Sequence, residues 1–221
     1  MLNRRHIRAK VMQVLYAQTS NTTENLNSSV LKENFENMYS LYLVLLSLFI
    51  KLRQRAQDHQ QKAKQKMQPT YEDANPNMRF IENLILVRLV QSEALKSKLE
   101  FYKIDFWEQD GEYIELFFQE MIQSDLYKLY MNSPTSSFEN DVNFVVELFK
   151  QIIVPNEKLY DYFEDKNLTW IDDLPVVNTA LVKLFSKFNK TSPDTYFTPL
   201  LFRDKDDEKF GISLYNKTFK R

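Results

Sequence analysis

The chain has no cysteine, two glycines and two histidines in 221 residues. Without cysteine there can be no disulfide, no thiolate nucleophile and no Cys-ligated zinc or iron–sulfur centre. His6 and His59 stand far apart, and neither an HExxH pattern nor a paired-histidine spacing occurs. Average usage would give about fifteen glycines, yet only Gly111 and Gly211 are present. A P-loop or dinucleotide-binding turn needs clustered glycines so that backbone can approach phosphate, so both are excluded. Tight hairpins draw on Gly or Asn for positive φ, whereas helices need few glycines, and the scarcity points to an all-α fold. The most apolar run, 41–50, spans ten residues and is interrupted by Ser47; a membrane span needs about 20. No apolar segment follows the basic N-terminus at signal-peptide distance. A soluble, cytoplasmic protein is expected, with 38–52 as the buried middle of a long helix.

Charge is present in quantity and unevenly placed. Residues 1–66 carry eleven Lys/Arg against four Asp/Glu, a net of +7; residues 67–221 carry eighteen against twenty-six, a net of −8. A basic end on an acidic body hints at a polyanion partner at that end. The first predicted helix, 3–18, places Ile7, Val11, Val14 and Leu15 on one stripe. Arg4, Arg5, His6, Arg8 and Lys10 crowd its first two turns without one acidic residue. The helix dipole is positive there, so five basic residues are locally unfavourable. A bound anion, which the free N–H groups of a helix start would also welcome, reverses that.

A Ser/Thr/Asn-rich loop is expected over 19–29, then a long helix over 30–67 whose apolar middle places it at the centre of a bundle. Its last turns hold Lys51, Arg53, Arg55, Lys62, Lys64 and Lys66, opposed only by Asp58. Cations favour helix C-termini, so this reads as a solvated helix end. Residues 68–77, with Pro69 and Pro76, read as a connector.

Beyond it the pattern repeats at an offset of 64. Phe80, Leu84, Glu93, Leu95 and Glu100 recur as Phe144, Leu148, Glu157, Leu159 and Glu164, and Phe106 is matched by Trp170. Each unit predicts a helix, a break near Ser92 or Pro155, a short helix, an aromatic, and a further helix from about Glu112 or Pro175. Asp172 or Asp173 before Pro175 suits an N-cap followed by a proline at the first helical position. At an offset of 66, Phe210, Ile212, Leu214, Tyr215 and Phe219 match the start of the second unit. The expected organisation is therefore 1–67, a basic helix plus a long helix; 78–131 and 138–188, two tandem helical units; and 206–221, the start of an incomplete third, so that the chain ends early or its last helix caps the second unit.

Eight acidic residues lie between Glu100 and Asp125 against Lys103 alone. Acid–base chemistry needs buried or paired carboxylates; these fall on helix starts and polar faces, as a solvated surface suited to a basic partner. The many Tyr and Phe at helical spacing are expected in the core. No nucleophile–base pair is evident, so no enzyme and no cofactor is expected. The basic first helix is the strongest functional signal, because Arg and Lys neutralise phosphates and Arg can also stack on or fork to bases.

The residues 2–17, LNRRHIRAKVMQVLYA, resemble the opening of NusB, the bacterial transcription antitermination factor, with Gln13, Leu15 and Tyr16 where that family's pattern puts them. The Asn75-Pro76-Asn77 turn followed by Arg79-Phe80-Ile81-Glu82-Asn83, and Trp170 with Asp172-Asp173-Leu174 and Asn178, resemble the longer NusB of the Bacteroidetes type. The resemblance implies an all-helical, NusB-like bundle without catalysis or cofactor. It implies binding of boxA-like single-stranded RNA together with NusE, a small-subunit ribosomal protein, in the antitermination complex that supports ribosomal RNA transcription. It points to Arg4, Arg5 and Arg8 as RNA contacts. His6 stands where an arginine is common, and Lys10 joins them on charge alone. Tyr16 is expected to pack rather than stack. The family's closing segment near an F-x-NGVLD motif has no counterpart here, which sets partner binding apart from the rest. Two competing readings are a helical-repeat interaction scaffold without RNA, and the RNA-guiding module of a modifying enzyme whose catalysis lies on another chain.

Overall fold

A computed structural model describes residues 1–20 and 28–219, and within them the chain is all-α with no named strand. In order the helices are α1 (Arg4–Ser20), α2 (Ser28–Lys64), α3 (Tyr71–Ala74), α4 (Leu84–Gln91), α5 (Glu93–Phe101), α6 (Phe106–Gln109), α7 (Gly111–Gln123), α8 (Asp125–Asn132), α9 (Phe138–Leu148), α10 (Glu157–Lys166), α11 (Leu168–Lys187) and α12 (Asp207–Phe219). A π-helical turn, Phe149–Ile153, extends α9, and a 3₁₀ turn covers Asp194–Phe197. The expected loop at 19–29 is helical at both edges, and its middle lies outside the described residues. The chain forms two compact units: residues 1–41 with 199–221, and residues 42–198. This division differs from the four segments expected, because α2 contributes its first turns to one unit and the rest to the other.

In the first unit α1 begins as its sequence dictates. Asn3 accepts from the backbone N–H groups of Arg5 and His6 at 3.0 and 3.1 Å, an N-cap for the free donors of the first turn. Ile7, Val11 and Val14 are buried, as are Leu31 and Phe35 of α2. Leu2 makes a parallel bridge with Phe202, whose ring meets Phe35 edge-on at 5.2 Å. Helix α12 packs on α1 with Asp207, Gly211 and Tyr215 inward. That inward face is not the one the repeat implied: Phe210, Ile212 and Leu214 are half-buried, whereas Phe144, Val146 and Leu148 are buried. The reason is Gly211, where a Cβ would lie 3.0 Å from Ile7 Cγ2 and 3.3 Å from the Phe35 ring. Gly211→Ala is thus expected to lower stability by roughly 1 kcal/mol, overpacking outweighing the better helix propensity. Gly111, with nothing within 4 Å of its Cβ position, is expected to respond with the opposite sign. Thermal melts of the two variants check this, and equal shifts would refute it.

In the second unit the rest of α2 is its most buried helix, with every residue from Tyr42 to Phe49 inside. By length and composition α2 could cross a membrane, but 72% of its apolar window is packed within the protein. The break expected near Ser92 is there: Ser92 ends α4 and caps α5, accepting from Leu95 N–H. The break before Pro155 takes the form of the π turn. Matched positions of the two repeats meet: Phe80 and Phe144 at 5.9 Å, Phe106 and Trp170 at 5.5 Å. Helix α7 begins at Gly111, close to expectation.

The final helix of the second repeat does not begin at Pro175. It begins at Leu168, capped by Asn167, and Pro175 lies inside it. Trp170, Asp173, Val177, Leu181 and Phe185 form one buried stripe at spacings of three and four. Burial along about four helical turns offsets the ~3 kcal/mol that an interior proline costs.

A polar cluster joins α4, α8 and α9. Asp141 accepts from Tyr130 Oη–H at 2.7 Å and from Leu84 N–H at 2.9 Å. Asn83 donates to Tyr130 Oη and to the Asp141 carbonyl oxygen, both at 3.1 Å, and its own Oδ1 caps α4. Arg79 lies over the Tyr130 ring at 4.7 Å and donates to the carbonyl oxygens of Ser133 and Thr135. Burial and the Asp141 carboxylate push the Tyr130 hydroxyl well above its ordinary pKa.

Candidate nucleic-acid interface

The five basic residues of α1 do not share one face. The buried stripe of Ile7, Val11 and Val14 sets the helix rotation, and successive residues turn by about 100°. Arg4, Arg5 and Arg8 are exposed, His6 is half-buried, and Lys10 is turned inside at 4% exposure. Lys10 therefore stands apart from the arginines. Charge had grouped it with them, and the helical period separates them.

The outer face carries a second feature. Met12 is 63% and Tyr16 76% exposed. Tyr16, expected inside, is thus largely exposed. It lies one residue beyond Leu15, the edge of the buried stripe, and a further 100° carries it outside. Arg5, Met12 and Tyr16 fall within roughly 40° of one another around the helix and span about 17 Å along it. Arg8 and Ala9, both exposed, flank them.

Two of the arginines are held by α12. Arg4 Nε donates to Asp207 Oδ1 at 3.2 Å. Both guanidinium groups are within cation–π distance of the Phe210 ring, Arg4 Cζ at 5.2 Å and Arg8 Cζ at 5.5 Å from its centroid. Asp207 is 1% exposed, and its other oxygen accepts from Asp204 N–H. Among the described residues no oxygen accepts from the side chain of Arg5 or Arg8, and Arg4 bonds to Asp207 alone. Near them the terminal amine donates to the Leu200 carbonyl oxygen at 2.7 Å. Burial, with Arg203 beside it, holds its pKa below the ordinary value, against the opposing pull of Asp207.

Sequence reading missed Asp207 and Phe210. The repeat pattern had placed Phe210 in a core stripe, and Asp207 is one of four acidic residues in 204–208 with nothing local to single it out. Those four reduce the basic surplus without cancelling it. The first unit holds eleven Lys/Arg against seven Asp/Glu, a net of +4, and the second eighteen against twenty-three, a net of −5.

The other basic run is partly engaged. Lys51 pairs with Glu108 at 3.1 Å, Arg55 pairs with Glu115, and Lys66 pairs with Asp73 at 2.9 Å. Lys62 and Lys64 are exposed on the last turns of α2, as a solvated helix end would have them. The bonds from Arg55 and Gln119 hold Glu115 below its ordinary pKa, and those from Lys166 and Tyr162 do the same for Asp110. Part of the acidic cluster is thus occupied by internal partners. A cleft of about 350 Å³ in the second unit is lined by Glu112, Tyr113, Leu116, Lys158 and Asp161, with no nucleophile–base pair among them. No group of three or more His, Asp or Glu among the described residues could hold a metal ion.

The chain matches no protein-family model, no curated protein and no solved structure.

Proposed function

We propose that this chain is a non-catalytic, cytoplasmic RNA-binding factor that acts in transcription antitermination. It reads boxA-like single-stranded RNA through α1, with NusE, the small-subunit ribosomal protein, as its partner. The observation that carries the reading is the exposed stripe of Arg5, Met12 and Tyr16 with Arg4 and Arg8 beside it. Arginines supply phosphate contacts and a fork for base edges. An exposed aromatic supplies a stacking platform, and single strands are where base faces are accessible. A solvated helix face does not need an exposed Met and Tyr in register with arginines. The resemblance of residues 2–17 to the NusB opening points to the same helix.

Fluorescence anisotropy with a boxA-like RNA and a scrambled control, over a salt series, tests this. Preference for the boxA-like RNA is expected, with a log–log salt slope of roughly −2 to −3, three or four phosphates at about 0.7 each. Absence of binding to either RNA would leave the interaction-scaffold reading in its place. Tyr16→Ala should weaken binding by about tenfold, from roughly 1–3 kcal/mol of lost base stacking, with little change in salt slope. A flattened slope would mean that Tyr16 acts by placing the arginines instead.

A further inference from the structure

We infer that α12 belongs to the RNA-reading surface, and that Arg4, Arg8 and Phe210 together form a seat for one phosphodiester group. The inference rests on the RNA reading above and adds to it a second helix and a defined ligand chemistry. Arg4 and Arg8 are one turn apart on α1, where like charges repel. Both guanidinium groups nevertheless lie over one ring, 5.2 and 5.5 Å from its centroid. Each gains from the ring's negative face, and the residual repulsion is what an anion bridging the two would remove. Arg4 is fixed through Nε on the buried Asp207 at 3.2 Å, which leaves both its terminal nitrogens to donate. Arg8 donates to no described oxygen. Two planar donor groups held at their inner side and open at their outer edge match the paired oxygens of a phosphodiester.

The role of α12 is preorganisation. An exposed arginine loses rotamer freedom when it grips a ligand. Phe210 and Asp207 restrict both side chains before RNA arrives, which raises affinity without adding a contact. They are positioning residues: Phe210 acts on the RNA through the two arginines.

The test is anisotropy with the boxA-like RNA, together with thermal melts, for Phe210→Leu, Phe210→Trp and Arg8→Lys. Phe210→Leu is expected to bind about fivefold more weakly with an unchanged salt slope, since both charges remain. Phe210→Trp, a better cation–π partner, should bind at least as tightly as the wild type. Arg8→Lys keeps the charge but loses the planar fork, and should also weaken binding with an unchanged slope. If Phe210→Leu unfolds, Arg8→Lys decides. Wild-type affinity in Phe210→Leu and Arg8→Lys, alongside weakened binding in Arg5→Ala, overturns the seat and leaves the RNA reading standing. A flatter slope together with a lowered melting temperature in Phe210→Leu also overturns it, because that is loss of helix packing. No RNA binding by the wild type overturns both.

Discussion

An Arg5→Ala/Arg8→Ala double variant is expected to bind boxA-like RNA about 25-fold more weakly than the wild type at 0.1 M salt. The figure follows from counterion release. Each phosphate contact on a single strand contributes about 0.7 to the log–log salt slope, so each is worth about fivefold between 1 M and 0.1 M salt. Two lost contacts give about 25-fold, and the slope should flatten by about 1.4. The fold should persist, because both side chains are exposed and neither donates to a described oxygen. Only the Arg8 contact with Phe210 is lost, a fraction of a kcal/mol at an exposed site. Lys62→Ala/Lys64→Ala on the last turns of α2 is the charge-matched control, expected to leave affinity within about twofold. Equal losses in the two double variants would show that net charge alone governs binding and would sink the assignment to α1.

The largest stability effect is expected at Asp141. Asp141→Ala leaves Leu84 N–H without its acceptor and Tyr130 Oη–H with only the Arg79 carbonyl oxygen at 3.4 Å. Bonds to a charged group are worth about 1.5–3 kcal/mol each, and buried donors left unpaired carry their desolvation penalty in full. The expected loss is about 3–4 kcal/mol, a fall of about 10 °C in melting temperature for a chain of this size. Tyr130→Phe should lose about 1–2 kcal/mol, and the double variant less than the sum, since the two share one bond. Strict additivity in this cycle, measured by urea unfolding, would show that the cluster is not coupled. RNA affinity should be unchanged in every one of these variants at temperatures where they are folded, because the cluster lies wholly within the second unit.

Much of the helical layout was legible because it rests on local rules. The start of the first helix at residue 3 and the break near Ser92 were legible, and in the structure Asn3 and Ser92 are the side chains that cap there. Residues 38–52 read as a buried helix middle because they are largely apolar, and 42–49 are buried throughout, Ser47 included. Pro175 misled because local preference argued for a helix start, whereas the stripe from Trp170 to Phe185 is settled by what it packs against. Lys10 and Tyr16 misled in opposite directions. Their residue types suggested surface and core, and the rotation fixed by Ile7, Val11 and Val14 overrode both. Asp141 and Asp207 were invisible for another reason. Their importance lies in partners 57 and 203 residues away, which no window along the chain contains.

That last separation bears on how the protein is made. Helix α12, against which α1 packs, is synthesised some 200 residues after it. At about 5–20 residues per second, some 200 residues take roughly 10–40 s. The second unit is complete in sequence once residue 198 has been added, and its parts can pair as they appear. The arginine face has no such option. Until Asp207 and Phe210 arrive, Arg4 and Arg8 lack the carboxylate and the ring that hold them, and the two arginines take up their paired arrangement only once α12 has been added.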